Sequence, residues 1–228
     1  MFPEVLTEGY RSFLGERLPR ERERFETLAK KGQSPEVLLI GCCDSRVAPE
    51  VIFDVGPGEI FTIRNVANIV PPYESDGGYH GTSSALEFAV QALKVKHIVV
   101  LGHASCGGIK AYADSASPLS PGNFIGKWVS LVEPASNKLA ATGDSVEKEG
   151  YLTRLEYASI KQSLENLMTF GFVKEAVEQG ALSLHGAHFG VATGELRILD
   201  PKTGDFQSVV ERDGRSLKPS ALINCGDA

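Results

Sequence analysis

Long hydrophobic runs, an excess of basic residues and a high cysteine content are all missing from this chain of 228 residues. The longest apolar runs, such as residues 98–101, are far too short to cross a bilayer. The 23 Lys and Arg residues are outnumbered by 29 Asp and Glu, which gives a formal net charge of −6. Nucleic acids and anionic membranes attract clustered positive charge, so we expect neither as a partner.

The start of the chain and its few cysteines indicate where the protein works. Met1-Phe2-Pro3 and the residues after it lack the basic region and apolar stretch of a secretory signal, so we expect a cytoplasmic location. In a reducing compartment, four cysteines are metal ligands or buried thiols more often than disulfides. The length suits one core, which predicts a single domain.

The first half of the chain alternates between helical and strand patterns. The predicted elements are a helical region over residues 4–31 broken at Pro19, strands over 37–40, 60–64 and 97–101, and helices over 48–54 and 82–93. Gly102 bounds the third strand. Such alternation predicts the α/β class: a central, mainly parallel sheet with flanking helices and an N-terminal helical arm.

The second half is mostly helical before a final hairpin. A helical turn follows Gly107-Gly108, residues 115–121 form a Ser- and Pro-rich connection, and residues 124–179 are predicted to be helical with breaks near Gly143 and Gly150. Residues 181–191 and 195–199 flank Gly194, which predicts a hairpin with glycine in its turn.

Two short blocks with metal-binding side chains come where strands end. Cys42-Cys43-Asp44-Ser45-Arg46 follows the first strand, and His103-Ala104-Ser105-Cys106 follows the third. Ligands of parallel sheets gather at the carboxyl ends of the strands. Two thiolates and one imidazole are a zinc ligand set with a fourth position open for water. The alternative is two buried thiols and a hydrogen-bonded core histidine.

Adjacent cysteines leave open which one faces this site. Successive strand residues point to opposite faces, so only one of Cys42 and Cys43 can be a ligand. Asp44 shares the face of Cys42, which favours Cys42 and leaves Cys43 as a packed thiol. Cys225 has no evident partner and is expected to have no catalytic role.

Asp44 and Arg46 are two residues apart and share a face if this stretch is extended. A guanidinium keeps a neighbouring carboxylate ionised and holds its orientation. Such a carboxylate only accepts hydrogen bonds, so beside a metal it can orient water. The alternative is a structural salt bridge.

The two blocks resemble the beta class of carbonic anhydrases, as do parts of residues 57–73, 184–186 and 194–196. The resemblance spans about residues 33–200. It implies one Zn2+ per chain bound by Cys42, His103 and Cys106, and a catalytic dyad of Asp44 and Arg46. In some members the aspartate swings onto the metal and closes the site.

The implied reaction is reversible hydration of carbon dioxide to bicarbonate and a proton. The alternatives are a hydrolase of carbon disulfide or carbonyl sulfide on the same fold, and a non-catalytic zinc protein that binds bicarbonate. The implied organisation is an N-terminal helical arm over residues 1–32, a catalytic core over 33–200 and a C-terminal tail over 201–228. The arm is expected to pack on a neighbouring subunit, giving a homodimer or a higher even-numbered homo-oligomer.

The substrate pocket follows from a resemblance to the plant-like branch of the family. Gln33, Phe61 and Val66 are the implied pocket residues, together with Phe88, where that branch usually has Tyr. Leu39 occupies the place of a Trp that marks the bicarbonate-regulated branch, so no regulatory bicarbonate site is expected. The candidates for a proton relay are His80, His97, His185 and His188, the last two being more often structural.

Overall fold

A six-stranded mixed sheet organises the fold in a computed structural model, which describes residues 1–76, 78–115, 119 and 122–209. Its strands are β1 (Val37–Cys42), β2 (Ile60–Asn65), β3 (His97–His103), β4 (Ser183–Phe189), β5 (Leu196–Leu199) and β6 (Phe206–Ser208). The order across the sheet is β2-β1-β3-β4-β5-β6. The helices are α1 (Glu4–Ser12), α2 (Leu18–Lys31), α3 (Pro49–Ile52), α4 (Gly81–Glu87), α5 (Gly107–Ala113), α6 (Phe124–Val129), α7 (Glu133–Ala141), α8 (Tyr151–Leu167) and α9 (Gly171–Glu178). The predicted α/β class with a mainly parallel sheet is confirmed.

The first four strands are parallel, and their register brings their carboxyl ends to one edge. Cys42 of β1 pairs with Asn65 of β2, and His103 of β3 pairs with Phe189 of β4. β5 and β6 are added in antiparallel orientation. Both predicted metal-binding blocks therefore begin at the same edge of the sheet.

Alternating side chains of the central strands build the core on two faces. Leu38 and Ile40 belong to a cluster that includes Ile98, Val100 and Ile160. Leu39, Leu101 and Ala187 form a smaller cluster on the other face. Burial on both faces explains why β1 is a nearly continuous apolar run.

α8 crosses closely over β3 and β4 because glycines face it. A Cβ atom on Gly102 would lie 2.7 Å from Cδ1 of Ile160, and one on Gly186 would lie 3.0 Å from its Cγ2. Gly102 was expected to bound the third strand. That expectation is wrong, since β3 continues through Gly102 to His103, where the glycine permits close helix packing.

The N-terminal segment is helical throughout, so the predicted break at Pro19 is also wrong. A π-helical turn, Phe13–Arg17, joins α1 to α2, and Pro19 lies in the first turn of α2. Proline cannot donate the hydrogen bond that a continuous helix requires there, and the π turn accommodates the missing donor. No residue of this segment is buried.

The remaining helices follow the predicted pattern with different ends. α3 is shorter than predicted, a π-helical turn (Phe88–Ala92) extends α4, and a 3-10 turn (Ser130–Val132) joins α6 to α7. Gly143 and Gly150 lie in the break between α7 and α8 with φ of 81° and 73°. None of the helices in the described part of the chain has the length and hydropathy of a membrane span.

The hairpin around Gly194 is confirmed by the antiparallel pairing of β4 and β5. β6 was not predicted. It falls within the expected tail, and its Phe206 pairs with Leu199. Cys225 lies outside the described residues.

Candidate metal centre

Three buried side chains meet at the carboxyl edge of the sheet. Cys42 is the last residue of β1, His103 is the last residue of β3, and Cys106 precedes α5. One potential ligand atom from each lies within 4.8 Å of the other two. Residues far apart in sequence therefore form one potential metal site.

His103 presents a nitrogen that has no partner within the described protein. Its Nδ1 lies 3.0 Å from the carbonyl oxygen of Ala104, which can only accept, so Nδ1 carries the proton. Its Nε2 is buried and accepts no hydrogen bond from any described residue. An unsatisfied buried polar atom costs about 1–3 kcal/mol, and a metal ion would satisfy this one.

The two cysteines are arranged so that a negative charge is stable on the sulfur of Cys42. A hydrogen bond from Cys106 is the largest cause that lowers the pKa of the Cys42 thiol, to about 4, and the backbone N–H groups of Asp44 and Ala67 act in the same direction. The same hydrogen bond, together with burial, raises the pKa of Cys106. Two sulfur donors and one imidazole suit Zn2+, so these residues fit the metal that the resemblance implies.

The structure brings Cys42, and not Cys43, to this centre. Cys42 is 5% exposed, whereas Cys43 is exposed on the other face of the chain. The expectation that Cys43 is a packed thiol is therefore wrong: β1 ends at Cys42, and beyond the strand end the sheet no longer covers the next side chain.

Asp44 and Arg46 form a bidentate pair beside the centre. Nε and Nη2 of Arg46 donate to the two carboxylate oxygens at 2.9 and 2.7 Å, and the Arg46 backbone N–H donates to Oδ1 at 3.0 Å. These bonds hold the pKa of Asp44 well below its usual range. Oδ2 lies 3.9 Å from Nε2 of His103.

Two arginines connect the segments that carry the centre. Arg46 Nη2 donates to the Ser105 carbonyl at 3.1 Å. Arg64 of β2 donates to the carbonyls of Cys42 and Asp44 at 2.8 and 2.7 Å. Arg64 was not predicted as a site residue, although its position as the last residue of the predicted strand over 60–64 was a usable signal.

A buried acid and a buried histidine were also missed as neighbours of the centre. Glu156 of α8 accepts a hydrogen bond from the Cys106 N–H at 3.0 Å, and His188 of β4 lies 3.0 Å from the other carboxylate oxygen. His188 had been considered only as a relay candidate. Glu156 is 50 positions from Cys106, and no local pattern indicates that contact.

The four predicted pocket residues do not come together within one chain. Val66 follows β2 beside the centre, with its carbonyl accepting from Trp128 Nε1 at 2.8 Å. Phe61 pairs with Leu38, four residues before Cys42, or about 13 Å along the strand. Phe88 is with Phe61, their ring centroids 5.9 Å apart. Gln33 is exposed ahead of β1. The expected single wall of Phe61, Val66 and Phe88 is therefore not formed by one chain.

The relay candidates occupy three different places. Nε2 of His80 lies 2.6 Å from the carboxylate of Asp76. His97 and His185 have ring nitrogens 3.2 Å apart, and His97 pairs with the first residue of β1, at the edge away from the cysteines. Only His188 adjoins the centre, through Glu156.

Comparisons with known proteins identify the family of this chain. A family model described as carbonic anhydrase matches residues 37–196. Beta carbonic anhydrase 5, chloroplastic, of Arabidopsis thaliana is 41% identical over 167 residues, which cover 73% of this chain and 54% of that protein. Beta carbonic anhydrase 3 of the same plant is 35% identical over 205 residues, covering 88% of this chain and 78% of the relative. The chain thus spans about half the length of the first relative and most of the second.

Solved structures give the same result. The beta-carbonic anhydrase CcaA superposes with a TM-score of 0.83 at 31% identity, covering 90% of this chain and 98% of that one. A structure of tetrameric beta-carbonic anhydrases from Sordaria macrospora gives a TM-score of 0.74 at 29% identity, with 89% and 97% covered. The chain belongs to the beta carbonic anhydrase family of enzymes.

Proposed function

We propose that this protein catalyses the zinc-dependent, reversible hydration of carbon dioxide to bicarbonate and a proton. The observation that carries the proposal is the unpaired, buried Nε2 of His103, which shares one site with two cysteines and lies 3.9 Å from an ionised aspartate. The relatives reported above are named carbonic anhydrases. Carbon dioxide is therefore favoured as substrate over carbon disulfide or carbonyl sulfide, and an active enzyme over a bicarbonate-binding protein.

Cys42, His103 through Nε2, and Cys106 would hold the zinc ion. A zinc ion with three protein ligands lowers the pKa of water and so supplies a nucleophile. The Nδ1–H of His103 donates to the Ala104 carbonyl, which holds the ring in place and leaves Nε2 as the nitrogen that would bind a metal.

Asp44 would orient the reacting water. Because Arg46 keeps the carboxylate ionised, Asp44 can only accept hydrogen bonds. A water molecule beside His103 Nε2 would lie within reach of Oδ2, since that oxygen is 3.9 Å from the nitrogen. By accepting a hydrogen bond from this water, Asp44 would direct a lone pair of the water oxygen at the carbon of carbon dioxide.

Asp44 is not part of the ligand group within the described residues. Both of its carboxylate oxygens accept hydrogen bonds from Arg46. This arrangement supports an open site, in which Asp44 stays off the metal and the fourth position is free for water.

A second copy of the chain would complete the substrate pocket. Gln33, Phe61 and Phe88 lie toward the edge opposite the cysteines, so they can serve a centre only from another subunit. The N-terminal segment supports such pairing because its apolar side chains are exposed: Val5, Leu6, Tyr10 and Leu14. An apolar groove of about 660 Å³ on the sheet, lined partly by Leu39, Val99 and Ile198, offers a matching surface.

The proposed assembly is a homodimer or a higher even-numbered homo-oligomer, in line with the structure named as tetrameric. Neither a nucleic acid nor a membrane is proposed as a partner, and the cytoplasmic location stays a prediction.

The deciding experiment is stopped-flow hydration of carbon dioxide together with metal analysis on the same preparation. We expect about one zinc per chain and saturable hydration that is lost when a chelator removes the metal and returns when zinc is added. Zinc binding without hydration would instead indicate the bicarbonate-binding alternative. Absence of zinc would contradict the proposed centre itself.

A further inference from the structure

A buried carboxylate lies against the backbone of one predicted metal ligand. Glu156 of α8 is 4% exposed, and its Oε1 accepts the N–H of Cys106 at 3.0 Å. Its Oε2 lies 3.0 Å from Nε2 of His188, which is also 4% exposed. An acidic side chain is rarely buried this completely unless each oxygen is satisfied, and here both are.

The hydrogen bond between Glu156 and His188 can run in only one direction. A carboxylate accepts and does not donate, so Nε2 of His188 carries the proton that is shared with Glu156. His188 is held by β4, where it pairs with Gly102 of β3, the neighbour of His103. The ring of Tyr157 packs edge-on against the imidazole of His188, with the ring centroids 4.7 Å apart, which adds a second contact to this histidine.

The segment from His103 to Cys106 is held by hydrogen bonds of its backbone N–H groups to β4 and to Glu156. Its Ala104 N–H donates to the carbonyl of Phe189, which continues the β3–β4 ladder by one residue. Ser105 then adopts φ of +57°, a left-handed conformation that turns the chain toward α5. Cys106 lies beyond this turn, and the Glu156 carboxylate is the group that receives its N–H.

We propose that Glu156, oriented by His188, is a positioning residue that holds the backbone of Cys106 so that its sulfur meets Cys42 and His103. The proposal rests on the proposed zinc centre. It assigns to Glu156 no contact with substrate: the carboxylate acts through the Cys106 amide and is therefore expected to govern metal affinity and turnover more than substrate binding.

The alternative is a pair that stabilises the core without any specific effect on the metal. Ser163 provides the matched control, because it lies on the same helix, is 2% exposed, and accepts the Val70 N–H at 3.2 Å through its Oγ. Ser163→Ala removes a buried acceptor from α8 away from the centre. It reports what loss of stability alone does to zinc binding.

The test compares wild type, Glu156→Ala, Glu156→Gln, His188→Ala and Ser163→Ala. The zinc dissociation constant is measured by competition with a chromogenic chelator, and the sulfur-to-cobalt charge-transfer band is recorded after substitution with Co2+. Thermal stability, kcat and KM are measured on the same samples. The cobalt band reports the sulfur positions directly and does not depend on activity.

Glu156→Ala is expected to weaken zinc binding by about 10- to 100-fold, the range seen when groups behind metal ligands are removed. The cobalt band should shift, and kcat should fall with little change in KM. Glu156→Gln should recover most of the affinity, since its amide oxygen can still accept the Cys106 N–H. Ser163→Ala should lower thermal stability and leave the zinc dissociation constant unchanged.

The proposal would be overturned if Glu156→Ala had the same zinc dissociation constant and the same cobalt spectrum as wild type. If Glu156→Ala does not fold, His188→Ala decides in its place, because loss of His188 frees one carboxylate oxygen and should still weaken zinc binding. An equal loss of affinity in Ser163→Ala would likewise reduce the pair to a structural role. Failure of wild type to bind zinc would instead refute the proposed function.

Discussion

Single residues decide whether this centre can hold a metal, and strand alternation predicted the most important of them. The choice of Cys42 over Cys43 followed from the face shared with Asp44, and the structure places Cys42 with His103 and Cys106. Alternation could not predict that Glu156 contacts Cys106 or that His188 contacts Glu156. Glu156 of α8 contacts Cys106 in the turn after β3, and His188 of β4 contacts Glu156, so both contacts exist only once the sheet and α8 are assembled.

The adjacent cysteines provide a matched pair of variants. Cys42→Ser should lose zinc and all measurable hydration, since it removes one of three ligands. Cys43→Ser should keep about one zinc per chain and nearly full activity, because this thiol is exposed outside the centre. Zinc analysis and stopped-flow hydration on both variants check this. Equal loss in the two would show that the wrong cysteine has been assigned.

Asp44→Asn tests the proposed role of the carboxylate. The amide keeps the size of the side chain but removes the charge, so zinc should stay and kcat should fall by about 100-fold, within the range for a lost proton acceptor. Asp54→Asn, at an exposed position outside the centre, serves as control. Unchanged turnover in Asp44→Asn would refute the role proposed for Asp44.

The pH dependence of hydration is expected to rise through mildly alkaline values. Two thiolates cancel the charge of Zn2+, so this donor set should acidify water less than a three-histidine site, which brings its pKa to about 7. Asp44 does not contribute to this rise, because Arg46 holds its pKa well below the usual range and the carboxylate is already ionised at neutral pH. Initial rates from pH 6 to 9 check this, and a flat profile would contradict it.

At the scale of elements, the positions of the first five strands along the chain were predictable, but their exact ends and the sixth strand were not. The apolar runs located β1, β2 and β3, while the prediction stopped β3 at Gly102 because glycine usually interrupts a strand. The structure shows instead that Gly102 makes room for Ile160 of α8. The pattern within a strand carries no information about which helix will cross it. β6 was missed for another reason, since three residues are too few to show a strand pattern.

Gly102→Ala should therefore destabilise the protein by about 1–3 kcal/mol through overpacking. The added Cβ would meet Cδ1 of Ile160 at 2.7 Å. Gly9→Ala in α1 is the control, since nothing lies within 4 Å of its Cβ. Urea unfolding measures both, and Ile160→Val should restore part of the stability in the Gly102→Ala background. No difference between the two alanine variants would contradict the close packing of α8.

At the scale of the whole molecule, one chain carries a complete ligand set and an incomplete pocket. The sequence predicted Gln33, Phe61 and Phe88 as pocket residues, but it could not indicate that the strand direction separates them from the cysteines. Their separation follows from the parallel register, in which Phe61 lies four residues before the level of Cys42. Assembly is therefore expected to govern turnover and to leave metal binding unaffected.

The variant Leu6→Glu/Tyr10→Glu tests this separation, because it places charge on two exposed apolar side chains of the N-terminal segment. We expect a smaller assembly by light scattering and a loss of hydration of at least about 10-fold, with zinc content unchanged, since charges are costly to bury at an apolar interface. Glu4→Gln is the control on the same helix. A monomer with full activity would show that one chain suffices.

The position of Cys42 and His103 at the ends of two neighbouring strands has a mechanical consequence. A metal ion held by the ends of β1 and β3 would tie together two points between which the chain makes a long excursion through β2 and α4. Such an ion stabilises the folded chain because it binds the assembled site and not the unfolded chain, so the tie lasts only while the ion is bound. The ion that activates water would thus also clamp the carboxyl edge of the sheet, and a chelator would release both functions at once.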